Sequence, residues 1–286
     1  MSNYALEVNG VSKKYKAFGI NDLSLKLEKG VIMGLVGQNG AGKTTLIKLI
    51  MNIVNSDGGE ISVYGHDNIK EEPEVKNIIG YIADEEYMYF NYTLEKYRRI
   101  FSMAFDKWND EVFYAYCKKF DLPLNKKFKE YSKGMKTKAM LALALAHEPK
   151  LLIMDEPTAG LDPVARLEIL DILRDFVSDG EKSVLFSTHI TSDLDKVADY
   201  ITLIINGEIV DSMPMDMIEE KYAIVSGDKK PSDEQRKYLI GCKERENSFT
   251  ALAERADISK LGDVSVRVPD IENLLIHNIL ERKKGE

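Results

Sequence analysis

The chain is 286 residues long, and its 39 Lys and Arg against 47 Asp and Glu give a formal net charge of −8, without the general basic face of a nucleic-acid binder. Its length suits one large α/β domain with a small extra one, and no apolar stretch reaches the roughly 18–20 residues that span a bilayer. Met1-Ser2-Asn3-Tyr4 has no signal pattern and Cys117 and Cys242 have no C-x-x-C partner, so a cytosolic protein with free thiols, no disulfide and no zinc is expected.

Residues 5–36 read as short strands separated by turn signals at Asn9-Gly10 and Lys29-Gly30, an antiparallel β layer. Tyr15 lies in the polar stretch Lys13-Lys14-Tyr15-Lys16, where a flat ring either stacks on a nucleotide base or is an ordinary loop tyrosine. The apolar run 31–36 then leads into Gly37-Gln38-Asn39-Gly40-Ala41-Gly42-Lys43-Thr44-Thr45 and the apolar stretch 46–50. That order is strand, glycine loop, helix. The spacing fits G-x-x-x-x-G-K-[ST], in which glycines let successive backbone N–H groups turn inward around an anion. In that arrangement Lys43 reaches the β- and γ-phosphates, the Thr44 hydroxyl ligates Mg²⁺, Thr45 meets another phosphate oxygen, and the helix points its positive end at the same charge.

Asp57-Gly58-Gly59 turns into a strand over 60–65, and 78–83 reads as a buried strand. The pattern changes at 84–92 and is helical from there to His147. Val112, Phe113, Tyr116, Cys117 and Phe120 share one apolar face, and Leu122-Pro123 ends that helix. Lysines 126, 127, 129, 133, 136 and 138 bracket Tyr131-Ser132-Lys133-Gly134-Met135, which opens a helix over 136–146. The strand 150–156 ends in Asp155 and Glu156, and a carboxylate pair at that edge of a parallel sheet marks a nucleotide site. Asp162 is placed to cap a helix that starts at Pro163 and runs to about 179–180. The run 183–189 repeats the apolar strand with a polar end, at His189, and 201–211 is a hairpin about Asn206-Gly207. Strand and helix alternate, as in a mostly parallel sheet covered on both faces. Beyond 222 the pattern weakens, with a turn at 229–233, a short helix at 234–240, a strand region at 248–256 and a terminal helix from Ile271 to Lys284.

In this order the stretches resemble the ATP-binding-cassette ATPase family over residues 3–220. The resemblance implies an α/β P-loop NTPase core with an antiparallel β subdomain and an α-helical subdomain at about 86–147, together residues 1–221, while the weaker pattern beyond it reads as a small accessory α/β unit at 222–286. It implies that Tyr15 stacks on adenine and that Gly37, Asn39, Gly40, Ala41, Gly42, Lys43, Thr44 and Thr45 hold the phosphates of ATP. Mg²⁺ falls to Thr44, to Asp155 through its water shell, and to Asp84. Glu156 is the base or polarising group for the attacking water, and His189 donates to the γ-phosphate. Ser132 and Gly134 match the signature loop, which meets ATP bound to a second subunit, and residues 159–162 match the dimer-contact loop.

Two positions depart from the family pattern. Lys133 replaces a glycine, either adding charge near the partner's phosphate or pointing to solvent, and Asp84 stands where a loop glutamine is expected, with Glu85 as the rival register. Residues 39–45, 158–163 and 187–190 look like those of bacterial exporters of drugs, antimicrobial peptides and bacitracin. The implied assembly is a homo- or heterodimer of such subunits, without nucleic acid, on the inner face of the membrane under a separate integral permease contacted through 84–92 and the helical insert. A soluble cassette ATPase, as in iron–sulfur assembly, and a nucleotide-switched regulator remain alternatives.

Overall fold

The computed structural model describes residues 3–83 and 88–283. Strands β1 (Tyr4–Lys14) and β2 (Gly19–Glu28) pair antiparallel across the turn at 15–18, and in β2 Leu23, Leu25 and Leu27 are buried between exposed neighbours. Alternation of that kind gives a sheet with one packed and one wet face. β3 (Ile32–Val36) is instead buried throughout and runs into the glycine loop and α1 (Lys43–Ile50). β4 (Gly58–Val63) returns to the first sheet and β5 (His66–Asp67) extends it, giving the order β2-β1-β4-β5. α2 (Glu72–Ile78), with Pro73 in its first turn, delivers β6 (Ile79–Ile82). The expected strand 78–83 therefore begins one residue later, because Ile78 closes a helix absent from the sequence reading.

Helices α3 (Leu94–Ala104), α4 (Asp110–Lys119) and α5 (Lys133–Leu145) follow, each capped by the side chain of the residue before it, Thr93, Asn109 and Ser132. Val112 and Tyr116 stay at the margin of the expected apolar face, while Phe113, Cys117 and Phe120 are buried. Burial pushes the Cys117 thiol up to about 12. The chain then alternates through β7 (Leu151–Asp155), α6 (Pro163–Val177), β8 (Ser183–Thr188), α7 (Thr191–Val197), β9 (Tyr200–Ile205) and β10 (Glu208–Pro214). The result is a six-stranded sheet in the order β10-β9-β3-β8-β7-β6, parallel except for β10, which folds back on β9 at Asn206-Gly207.

The central strands distribute their side chains with period two. Ile32, Val36, Leu152, Met154, Val184 and Phe186 join the core shared with the helices, and Met33, Leu35, Leu151, Ile153 and Leu185 join the core under α1 and the antiparallel sheet. Each such side chain contributes about 1.5–3 kcal/mol of apolar burial, so the edge that carries the site is held from both faces.

After α8 (Met217–Lys221) come β11 (Tyr222–Gly227), α9 (Asp233–Arg236), β12 (Ile240–Arg245), β13 (Ser248–Glu254), β14 (Ser265–Arg267) and α10 (Ile271–Lys283). Their sheet has the order β12-β13-β11-β14. Only α10, the region of β13 and a shorter α9 match the sequence reading here. β11 and β12 escape it because their apolar residues are covered by distant parts of the chain, and β14 because it is a three-residue exposed strand set by its pairing with β11. Tyr222, Ile224, Leu252, Ile271, Leu274 and Ile279 belong to the same buried cluster as Val197, Ile201, Met213 and Ile218, and Arg282 pairs with Glu208 at 2.7 Å.

Candidate functional site

The site forms where β3, β7 and β8 end side by side. At the end of β3 the chain passes so close to β9 that a Cβ on Gly37 would lie 2.4 Å from the Ile204 carbonyl oxygen, and Gly42 takes φ 114° before α1. No side chain among the described residues caps α1, so its first-turn N–H groups are left for an anion. Lys43 is only 5 % exposed. Its Nζ donates to Gly37 O at 2.8 Å and reaches Gln38 O at 3.4 Å.

The third neighbour of that ammonium is Glu156, whose Oε1 lies 3.2 Å away. Oε1 is buried and has no aligned hydrogen bond among the described residues, so its contact with Lys43 is one of charge. Oε2 accepts from His189 N at 3.2 Å and from His189 Nδ1 at 2.7 Å. Because a carboxylate only accepts, the imidazole carries its proton on Nδ1 here. Glu156 follows β7 in the left-handed region at φ 50°, and its N–H donates to Ser187 O at 3.0 Å and to Ser187 Oγ at 3.2 Å. Asp155, 1 % exposed, accepts from Ser187 Oγ through Oδ1.

A cleft of about 540 Å³ opens here, lined by the loop from Gln38 to Thr45 without Ala41, by Ala17 and Phe18, and by Glu156. That size falls in the range of roughly 300–1,000 Å³ usual for ligand pockets. Thr44 is exposed into the cleft region and Thr45 is half-buried. Ala41 turns inward, its N–H donating to Gln38 O at 3.1 Å. A separate apolar cavity of about 300 Å³, lined by Tyr81, Phe101, Phe105, Met140 and His147 among others, has none of this polar chemistry.

Of the residues singled out in the sequence, Asn39, Gly40, Gly42, Lys43, Thr44, Thr45 and Glu156 share the cleft wall, while His189, exposed, and Asp155, buried, do not line it and are tied to it through Glu156 and Ser187. Tyr15 is not on that wall. Its ring is 47 % exposed with Lys13 Nζ 5.9 Å from its centre, and Ala17 and Phe18 take the position nearest the loop. Ser132 and Gly134 lie apart, at the start of α5, where Ser132 Oγ accepts from Met135 N at 3.2 Å. Lys133 is exposed, with its Nζ 3.3 Å from where a Cβ on Gly160 would sit. Asp162 caps α6 as expected, accepting from Val164 N and Ala165 N at 3.0 Å each, and these N–H groups hold its carboxyl below the usual range. Asp84 and Glu85 lie outside the described residues. Ser187 and Phe18 were missed. Ser187 is visible in the sequence only as a polar residue near the end of an apolar strand, and its partner Asp155 emerges from strand pairing.

The profile of the family described as ABC transporter matches residues 20–159. The ABC transporter ATP-binding protein YtrB of Bacillus subtilis (strain 168) is 33 % identical over 203 residues, covering 71 % of this chain and 69 % of that protein. The chain belongs to the ABC transporter family, among its ATP-binding proteins. The bacitracin transport ATP-binding protein BcrA of Bacillus licheniformis is 30 % identical to this cassette over 206 residues, 71 % of this chain and 67 % of its own. A solved structure of the ATP binding subunit of an ABC transporter superposes with a TM-score of 0.69 at 30 % identity, covering 75 % of the cassette chain and 92 % of the other. The expected α/β P-loop architecture is thus the one found. The chain is a cassette ATPase, and among the described residues no helix is long and apolar enough to cross a membrane.

Proposed function

We propose that this ATPase drives a separate integral membrane permease in the direction of export, as one of two cassettes, alike or different, held on the inner face of the membrane. The observation that carries the catalytic part is Glu156 between Lys43 at 3.2 Å and His189 at 2.7 Å on the wall of the glycine-loop cleft. When ATP enters, Lys43 exchanges the Gly37 and Gln38 carbonyls and the Glu156 carboxylate for β- and γ-phosphate oxygens. That frees Glu156 Oε1 to orient a water and take its proton. His189 holds the other carboxylate oxygen, and its second ring nitrogen serves the γ-phosphate.

The Thr44 hydroxyl and the Asp155 carboxylate are hard oxygen donors of the kind that suit Mg²⁺, which binds through one or two carboxylates together with phosphates and water. Mg²⁺ supplies charge neutralisation on the phosphates when bound. Tyr15 stacks on the base from beyond the cleft wall. Ser132 and Gly134 serve ATP held by the other cassette, a reading supported by their place outside this cleft at the start of a 13-residue helix. Export is supported by the exporter-like stretches 39–45, 158–163 and 187–190. Residues 222–286 are an accessory unit, since every phosphate-facing residue precedes them.

Gel filtration of Glu156→Gln with ATP tests the paired site, with a dimer expected and a monomer at saturating ATP counting against it. Recovery of the chain with membranes only when its permease is co-expressed tests the transport role. A chain that stays in the soluble fraction with the permease present would favour a non-transport ATPase.

A further inference from the structure

We infer that Ser187 is a positioning residue for hydrolysis, one hydroxyl that sets both carboxylates of the site, and this rests on the reading of Asp155 and Glu156 given above. Parallel pairing of β7 and β8 places Ser187 directly across from Asp155. The side chain is fully buried. Its Oγ–H donates to Asp155 Oδ1, and the same oxygen accepts from the Glu156 N–H at 3.2 Å, which the Ser187 carbonyl also accepts at 3.0 Å.

Packing alone does not call for a hydroxyl here. β8 is buried along its whole length between β3 and β7, surroundings that an alanine or valine fills without a polar atom to satisfy. The hydroxyl instead commits one oxygen of Asp155, which fixes the plane of the carboxylate and leaves the other oxygen for the water shell of Mg²⁺. It also pins the main chain at Glu156, where φ is 50°, so that the side chain reaches Lys43 and His189 together. Ser183, at the other end of the same strand, shows the contrast. Its hydroxyl accepts from Gly30 N at 3.0 Å and donates to Glu28 O at 3.1 Å, joining main chain to main chain and touching neither carboxylate.

The prediction separates positioning from plain structure because it concerns the metal-dependent part of binding. Loss of a hydrogen bond to a charged group changes an equilibrium by about tenfold or more, and a misplacement of roughly 1 Å costs about a hundredfold in rate. The test uses the full chain, as wild type, Ser187→Ala and Ser187→Thr, with a fluorescent ATP analogue titrated in EDTA and across Mg²⁺ concentrations, alongside kcat, KM and the thermal midpoint. Ser187→Ala is expected to bind the analogue in EDTA like wild type. It should need about tenfold more Mg²⁺ for half of the metal-dependent gain in affinity. Its kcat should fall about ten- to a hundredfold with KM nearly unchanged at saturating Mg²⁺. Ser187→Thr, which keeps the hydroxyl, should recover most of both.

A Ser187→Ala protein with wild-type Mg²⁺ midpoint and kcat overturns the inference. So does one that loses EDTA and Mg²⁺ binding in equal proportion with a lowered thermal midpoint, which is the mark of packing only. Should Ser187→Ala fail to fold, Ser187→Cys, similar in size and a weak donor, is measured the same way and sorted by the same two outcomes. A wild type that gains no affinity from Mg²⁺ overturns the metal assignment and this inference with it. A normal wild-type gain beside an unchanged Ser187→Ala overturns this inference alone.

Discussion

Glu156→Gln should bind ATP more tightly than wild type while hydrolysing it far more slowly. In the free chain the Lys43 ammonium is 3.2 Å from Glu156 Oε1, with side-chain exposures of 6 % and 10 %. A pair at that distance attracts by about 5 kcal/mol at an effective dielectric of 20. Desolvation of both groups cancels most of this, and the two carbonyls that also hold Lys43 remain in the variant. A net competition of about 1–2 kcal/mol is left, equivalent to roughly a five- to thirtyfold gain in ATP affinity once the carboxylate is neutral. The amide still offers an oxygen to His189 but is no base, so kcat should fall about 10²- to 10⁴-fold. Isothermal titration in EDTA across a dilution series of the protein reads the affinity of the single chain apart from any dimer, and single-turnover assays read the chemistry. Affinity equal to or weaker than wild type at every dilution would refute the reasoning, since Lys43 would then not be shared between Glu156 and phosphate.

Three further outcomes are expected. Lys43→Ala should weaken ATP binding by about ten- to a hundredfold, the loss of a charge-assisted contact, as read by the same titration. Wild-type affinity would remove Lys43 from the phosphate site. Ser132→Ala should cost about 1 kcal/mol by uncapping α5, seen as a drop of roughly 2–4 °C in Tm, and should also lower turnover at protein concentrations that allow dimers while leaving single-chain ATP binding intact. A fall in single-chain binding would place Ser132 in its own cleft. The third outcome concerns pH. Burial pushes His147 and His277 below their ordinary value, each with one ring nitrogen on a carbonyl, Ile79 O at 3.0 Å and Gly241 O at 2.8 Å. The unfolded chain then binds more protons below about pH 6.5, so the stability they contribute is full above that pH and is lost as pH falls toward the folded values. The slope is at most about 1.4 kcal/mol per pH unit for each histidine. Asp67, held down to about 2 chiefly by the Lys70 N–H, and Asp179, held down to about 2 chiefly by the Lys182 side chain, titrate below this window. Urea midpoints that stay flat between pH 7.5 and 5.5 would count against it.

Local physics made the glycine loop legible, since Gly37 to Thr45 carries its geometry in its own glycines and in the strand and helix on either side. Asp155, Glu156 and His189 were legible as polar ends of apolar strands, because an open parallel sheet gathers such ends at one edge. The caps at Asp162 and the turn at Asn206-Gly207 were likewise written in neighbouring residues. What tertiary structure decided is which of these meet. The pairing of β7 with β8 brings Ser187 onto Asp155 and the Glu156 N–H, a contact across more than thirty residues that no periodicity encodes. The turn at 15–18 brings Phe18 to the loop and leaves Tyr15 outside the cleft, although the sequence marks Tyr15 as the stranger residue. In the last quarter of the chain β11 and β12 exist because α10 and the cassette cover their apolar faces, and β14, exposed throughout, exists by pairing with β11. A strand whose burial comes from far along the chain has little local pattern to announce it, since hydrophobic burial depends on what is nearby in space and not in sequence.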